Sequence, residues 1–174
     1  MKKKLSILGC TGSIGDTTLN LLNNNNKEYS FYIFFGYKNY KKIKYFLKKF
    51  KPKFFVIFDD YTFQKVKKEN LKNNVKILSS KDYYRFKFKK SDISILAIPG
   101  IAGLEPTLKS IRVSKKILIA NKESVICGWN IINKLIKKYK VKTFPVDSEH
   151  FSIMNLIEQS NKNDIEKIYL TASG

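Results

Sequence analysis

Three glycines spaced three residues apart, Gly9, Gly12 and Gly15, follow the apolar run Leu5-Ser6-Ile7-Leu8 and precede Asp16-Thr17-Thr18-Leu19. Glycine adopts backbone angles that other residues avoid and carries no Cβ, so a turn built from it lets a bulky anion reach the main chain. A strand, such a turn and a helix start bring free N–H groups and the positive end of the helix dipole to one place, which is how a diphosphate is held. The spacing points to a dinucleotide, although an ordinary strand-to-helix turn can use the same residues. Far downstream, Asp147 and Glu149 stand two residues apart in Phe144-Pro145-Val146-Asp147-Ser148-Glu149-His150. Carboxylates so spaced at a strand end can converge on one hard cation, and oxygen ligands favour Mg²⁺ or Mn²⁺ over zinc. Ser148 could donate to a substrate oxygen, and His150 is a candidate to join the group. The same residues would also suit a helix cap, with Asp147 or Ser148 starting the helix and Glu149 in its first turn.

Two further stretches carry polar side chains at strand ends. Phe31-Tyr32-Ile33-Phe34-Phe35 runs into Gly36-Tyr37-Lys38-Asn39. An NAD site usually places an acid here, roughly 20 residues past the glycine turn, to accept from the ribose 2′-OH. This chain has no acid there; it has Lys38 and Asn39, with Lys41 and Lys42 beyond. An ammonium and an amide attract a 2′-phosphate that a carboxylate would repel, so NADP(H) is favoured over NAD(H). In a lysine-rich protein these residues could also be a solvated helix start. Ile93-Ser94-Ile95-Leu96-Ala97-Ile98 enters the turn Pro99-Gly100-Ile101-Ala102-Gly103, and Ile117-Leu118-Ile119-Ala120 is followed by Asn121-Lys122-Glu123-Ser124. Asn121, Lys122 and Glu123 could reach a nicotinamide ribose and a substrate; Asn121 as N-cap with Glu123 behind it is the alternative.

These residues need a scaffold that gathers strand ends. Apolar runs predict strands at Lys4–Leu8, Ser30–Phe35, Lys53–Phe58, Val75–Leu78, Ile93–Ile98, Lys116–Ala120, Lys142–Val146 and Lys167–Leu170. Helical periodicity predicts Asp16–Asn23, Tyr40–Phe50, Tyr61–Leu71, Leu104–Val113, Ser124–Tyr139 and Phe151–Ser160. Continuous apolar strands alternating with amphipathic helices predict an α/β fold with a doubly wound, mostly parallel sheet covered on both faces. Asn23-Asn24-Asn25-Asn26 reads as a loop.

The 174 residues, 43% of them hydrophobic, suffice for one domain and the beginning of a second. No apolar run is long enough to span a membrane, and no signal peptide is recognisable. Cys10 and Cys127 lack metal or redox spacing and are expected to be free thiols in a cytoplasmic protein. The net charge of +20 invites a nucleic-acid reading. That reading is disfavoured: only Arg85 and Arg112 are arginines, and the lysines are spread along the chain. Lysine, asparagine, isoleucine, phenylalanine and tyrosine all have A/T-rich codons, so base composition explains the excess equally well. The last residues, Leu170-Thr171-Ala172-Ser173-Gly174, form a small-residue turn suited to a phosphate. A chain that stops inside such a turn is expected to be a fragment.

In order and spacing these motifs resemble the 1-deoxy-D-xylulose 5-phosphate reductoisomerase family. The resemblance is carried by Gly9-Cys10-Thr11-Gly12-Ser13-Ile14-Gly15, Lys38-Asn39, Gly103-Leu104-Glu105-Pro106-Thr107, Ala120-Asn121-Lys122-Glu123-Ser124, Pro145-Val146-Asp147-Ser148-Glu149-His150 and Leu170-Thr171-Ala172-Ser173-Gly174. It implies a Rossmann-type NADPH-binding domain over residues 1–146 and the start of a catalytic domain over 147–174. Thr11, Gly12, Ser13 and Ile14 would then lie along NADPH, with Lys38 and Asn39 near its 2′-phosphate and Asn121 and Glu123 also on the cofactor. Lys122 would touch substrate. Asp147 and Glu149 would hold Mg²⁺ or Mn²⁺ (Co²⁺ as an alternative), Ser148 and Glu149 would touch substrate, and Ser173 would bind its phosphate. Tyr37 departs from a glycine common in the family, and Cys10 from a serine. The implied reaction rearranges and reduces 1-deoxy-D-xylulose 5-phosphate to 2-C-methyl-D-erythritol 4-phosphate. The full-length enzyme is expected to be a homodimer, and this shorter chain to be inactive alone. The alternatives are another NADPH-dependent dehydrogenase, a basic nucleic-acid-binding module, or an inactive remnant.

Overall fold

Strands and helices alternate along the chain as β1 (Lys3–Leu8), α1 (Ser13–Asn23), β2 (Tyr29–Gly36), α2 (Tyr40–Lys49), β3 (Phe54–Ile57), α3 (Asp60–Lys68), β4 (Lys76–Ser79), α4 (Ser80–Arg85), β5 (Ser91–Leu96), α5 (Leu104–Arg112), β6 (Ser114–Ile119), α6 (Lys122–Tyr139), β7 (Lys142–Pro145) and α7 (Ser148–Gln159). This computed structural model describes residues 2–23, 26–69 and 74–169. The seven strands form one sheet in the order β4-β3-β2-β1-β5-β6-β7. Every neighbouring pair is parallel.

Both sheet faces are buried, which is why the strands read as unbroken apolar runs. On one face Leu5, Ile7, Phe34, Phe55 and Ile57 pack with Leu19 of α1, Ile43, Phe46 and Leu47 of α2, and Phe63 and Val66 of α3. On the other, Ile33, Phe35, Phe54, Val56 and Leu96 pack with Tyr83 of α4, Ile111 of α5 and Ile132 of α6. The helices thus fall into two layers, α1–α3 and α4–α6. The chain winds outward from β1 toward β4 and, in the second half, from β5 toward β7. The winding reverses between β1 and β5, and in open sheets of this kind ligands bind at the carboxyl ends of the strands beside such a reversal.

The fold orders the charge. Helices antiparallel to the strands put their N-termini at the carboxyl edge of the sheet and their C-termini at the other edge. Acids stand in the first turns of α1, α3, α4, α5, α6 and α7. Basic residues close α2, α3, α5 and α6. Both placements complement the helix dipoles, so the lysines that close these helices stand at the edge opposite the helix N-termini.

Several element boundaries differ from the sequence reading for identifiable reasons. Helices α6 and α7 begin at Lys122 and Ser148, earlier than periodicity indicates, because Asn121 and Asp147 cap them. Helix α1 starts at Ser13, within the glycine turn itself. Helix α4 is too short for an apolar period, yet Ser79 and Asp82 form a capping box at its start. Residues 165–169 form no strand. Asn24, Asn25, Leu71, Leu170 and the turn Thr171–Gly174, with Ser173, lie outside the described residues. Among the described residues no helix is long and apolar enough to cross a membrane. Cys10, buried, and Cys127, exposed, are both free thiols.

Candidate functional site

The first half of the site is built by the turn after β1. Gly9 has φ +87°, and a Cβ there would lie 2.7 Å from the carbonyl carbon of Ala97. The turn therefore touches the end of β5 directly, and Ala97 N–H donates to Leu8 O at 2.8 Å. A Cβ on Gly15 would lie 2.5 Å from Cys10 Cα, so α1 packs on the turn's own backbone. Cys10 N–H donates to Phe35 O at 2.9 Å and joins the turn to β2. Burial pushes the Cys10 thiol far up, so it stays neutral. Gly12 differs from its two neighbours: a Cβ there would meet only Gly9 O, at 3.4 Å. Gly12, Ser13 and Ile14 are exposed and Thr11 is half-buried. Gly9 and Gly15 compact the turn, while Gly12 leaves its face open.

Beside this turn lies the start of α2. Asn39 Oδ1 accepts from Lys42 N–H at 3.1 Å, capping the helix. Lys42 Nζ pairs with Asp16 Oδ2 of α1 at 2.8 Å. The pair is over one-third exposed on the lysine side, so its role is alignment of α1 with α2 more than stability. Helix α2 has no acid in its first turn; it has Lys41 and Lys42, with Lys38 just before. Positive charge at a helix N-terminus opposes the dipole, and α2 is the exception to the pattern of the other helices.

The second half lies along β5, β6 and β7. Asn121 is 3% exposed. Its Oδ1 accepts from Ser124 N–H at 2.9 Å, and its Nδ2 donates to Ile98 O and to Gly100 O, the latter at 3.1 Å. It caps α6 and fixes the turn after β5. Gly103 lies against it: a Cβ there would stand 2.6 Å from Ile98 O. Lys122 and Glu123 follow, both exposed. After β7, Asp147 Oδ1 accepts from His150 N–H at 2.9 Å and meets His150 Nδ1 at 2.6 Å. Ser148 Oγ donates to Glu149 Oε2 at 2.9 Å. Partial burial pushes the Asp147 carboxyl up, but the His150 backbone N–H and ring outweigh it and hold the group below the usual carboxylate range. Glu149 is lowered by its own backbone N–H, the Ser148 hydroxyl and the nearby Lys122 ammonium. A groove of about 780 Å³ runs between α6, β7 and α7, lined by Lys122, Ile126, Pro145, Asp147, Met154 and Ile157.

The fold brings the candidates to one edge of the sheet. Thr11, Gly12, Ser13, Ile14, Lys38 and Asn39 stand at β1 and β2; Asn121, Lys122 and Glu123 at β6; Asp147, Ser148 and Glu149 at β7. From β1 to β7 is three strand steps, about 14 Å. Among the described residues no group of three or more metal-ligating side chains converges. Sequence reasoning missed the Asp16–Lys42 tie, which has no local signal. It also missed the packing role of Gly103, which its place in a glycine-rich turn could have suggested.

The Asp147 cap has a pH consequence. A carboxyl whose folded pKa is depressed adds stability above its ordinary value of 3.8 and loses it as pH falls through the lower folded value. Helix α7 is expected to fray on acidification in that window, and Asp147→Asn to flatten the profile. Amide exchange of His150 and Phe151 measured from pH 6 downward checks this; identical profiles would refute it.

Two family models match the chain. The 1-deoxy-D-xylulose 5-phosphate reductoisomerase model matches residues 5–128, and the C-terminal domain model of the same enzyme matches residues 143–174. The 1-deoxy-D-xylulose 5-phosphate reductoisomerase of Pelagibacter ubique is 46% identical over 99% of this chain and 45% of its own length. That of Caldanaerobacter subterraneus subsp. tengcongensis is 36% identical, with the same two coverages. The chain therefore spans a little under half the length of these curated relatives. The structure of the Zymomonas mobilis enzyme in complex with NADPH superimposes with a TM-score of 0.80 at 30% identity, covering 86% of this chain and 40% of that one. A reductoisomerase bound to NADPH, fosmidomycin and magnesium gives 0.76 at 32%, covering 85% and 37%. With its fold, its strand-edge residues and these matches in agreement, the chain belongs to the 1-deoxy-D-xylulose 5-phosphate reductoisomerase family.

Proposed function

We propose that residues 1–146 bind NADPH and that residues 147–174 begin the metal and substrate domain of a 1-deoxy-D-xylulose 5-phosphate reductoisomerase. The observation that carries this is the charge at α2. Alone among the α-helices of the described residues, α2 has no acid in its first turn and carries lysines there, beside a glycine turn whose exposed face is open at Gly12. Asp16 neutralises Lys42, which leaves Lys38 and Lys41 at the positive end of the dipole. That is an arrangement stabilised by a doubly charged phosphate.

The residues fit the dinucleotide. Backbone N–H groups of Thr11–Ile14 would face the pyrophosphate, Lys38 and Asn39 the 2′-phosphate, and Glu123 the nicotinamide ribose. Asn121, with its amide engaged internally, would act by holding the β5 and β6 ends in place. When bound, NADPH supplies the hydride that reduces the rearranged aldehyde. Asp147 and Glu149 would supply carboxylate oxygens to Mg²⁺ or Mn²⁺, a choice of ligand that suits a hard cation, and the ion would supply Lewis-acid polarisation of the substrate carbonyl. Ser148 would donate to a substrate oxygen, and the Lys122 ammonium would attract the anionic substrate. With no group of three metal-ligating side chains among the described residues, these 174 residues by themselves would bind cofactor without turning over substrate. The free thiols suit a cytoplasmic setting.

Calorimetric titration of the chain with NADPH and NADH tests the reading. NADPH is expected to bind at least about tenfold more tightly. Replacing Lys38 and Lys41 together by alanine should remove that preference while leaving the melting temperature unchanged. Equal affinity for the two nucleotides would overturn it.

A further inference from the structure

Tyr37 is the first residue after β2, at the carboxyl edge of the sheet, and 55% of its surface is open to solvent. Its position is fixed from below. Gly36 is buried, and a Cβ there would lie 2.8 Å from Ile43 Cγ1, so the backbone is clamped onto α2. From the side, the Lys38 ammonium sits 5.2 Å from the Tyr37 ring centroid. A cation over an aromatic face is electrostatically attracted to it, so ring and ammonium restrain each other. The carboxyl of Asp59, just past β3, is held below the usual carboxylate range chiefly by the Thr62 hydroxyl and N–H, and also feels the Lys38 charge. Tyr45 also carries an ammonium over its ring, that of Lys49 at 5.0 Å, but it lies within α2 and not at a strand end. Tyr61 follows Asp59 and Asp60, whose carboxylates repel phosphate.

An exposed ring held beside cations suits a ligand with a flat heterocycle one sugar away from a phosphate. Resting on the NADPH reading above, we infer that Tyr37 is the wall on which the adenine of NADPH stacks, and that its ring steers Lys38 toward the 2′-phosphate. The position is then part of cofactor discrimination as well as affinity. Removing the ring frees the ammonium and takes away the stacking surface. A phenyl ring preserves both effects, because neither uses the hydroxyl.

The test measures dissociation constants of the 174-residue chain for NADPH and for adenosine 2′,5′-bisphosphate, with reduced nicotinamide mononucleotide as a probe lacking adenine. Tyr37→Gly should weaken both adenine-containing ligands about tenfold, Tyr37→Phe should stay within about twofold, and the mononucleotide should be unaffected by either change. Because Tyr37 is exposed, thermal melting of the variants should match the parent and exclude unfolding as a cause. If the parent fails to bind NADPH, the cofactor reading falls. If the parent binds and Tyr37→Gly binds as tightly, that reading stands and the role of Tyr37 is refuted. Recovery of affinity in Tyr37→Leu would also refute it, since a leucine offers contact area without a stacking face.

Discussion

Gly15→Ala lowers the melting temperature by roughly 4–8 °C, whereas Gly12→Ala, three residues earlier, leaves it unchanged and instead weakens NADPH binding. The added methyl is the same; its surroundings decide. At Gly15 it would stand 2.5 Å from Cys10 Cα, a backbone atom held by the Cys10–Phe35 hydrogen bond and unable to rotate away. Overpacking against fixed backbone costs about 3 kcal/mol, and a helical Gly→Ala change returns about 1 kcal/mol of propensity. For a chain of this size each kcal/mol moves the midpoint by roughly 2–4 °C, so the net loss falls near the figure given. At Gly12 the methyl would find Gly9 O at 3.4 Å and otherwise solvent. Its cost appears only when a diphosphate tries to occupy that face, as at least a tenfold loss of NADPH affinity. Calorimetric melting with and without NADPH separates the two. A folded, thermally unaltered Gly15→Ala, or a Gly12→Ala that binds NADPH normally, would contradict this account of the turn.

That contrast also shows what the sequence makes legible. The glycine spacing marks the turn, but it does not say which glycine serves packing and which serves a ligand; that requires knowing that β5 ends against Gly9 and that α1 returns over Cys10. The alternation of Phe31–Phe35 and Phe54–Ile57 with amphipathic α2 and α3 identifies a parallel sheet because burial on both faces leaves no polar alternation to read. Helix α4 escapes because a single turn and a half has no period, although Ser79-x-x-Asp82 is visible as a capping box. The candidate site is harder. Asn39, Asn121 and Asp147 are each helix caps in the structure. Ligand contacts and caps draw on the same short polar side chains, and a parallel fold sends both to the same edge. Sequence spacing alone therefore leaves those roles superimposed. The inverted charge at α2 becomes informative only once every other helix is seen to follow the dipole rule.

Asn121 is where capping and site geometry are hardest to separate, and where substitution should be most damaging to the second half of the site. Asn121→Ala leaves Ser124 N–H, Ile98 O and Gly100 O without their partner at a position 3% exposed. Losing a helix cap and stranding two half-buried carbonyls together cost about 2–4 kcal/mol. Asn121→Asp isolates the two contributions. Its carboxylate still accepts from Ser124 N–H, but it presents a second oxygen to the carbonyls of Ile98 and Gly100, and no donor. Burial and those carbonyls disfavour the ionised form, so the folded pKa of the new carboxyl rises above its unfolded value. A group so shifted is least harmful below its unfolded pKa and progressively more destabilising as pH rises through the folded one. The aspartate variant should therefore be weakest at neutral pH and recover on acidification toward pH 5, while the alanine variant stays equally destabilised at both pH values. Urea denaturation at the two pH values measures this directly. An aspartate variant as stable as the parent at neutral pH would mean that the Nδ2 bonds to Ile98 and Gly100 contribute nothing, and that the turn after β5 is held by Gly103 packing alone.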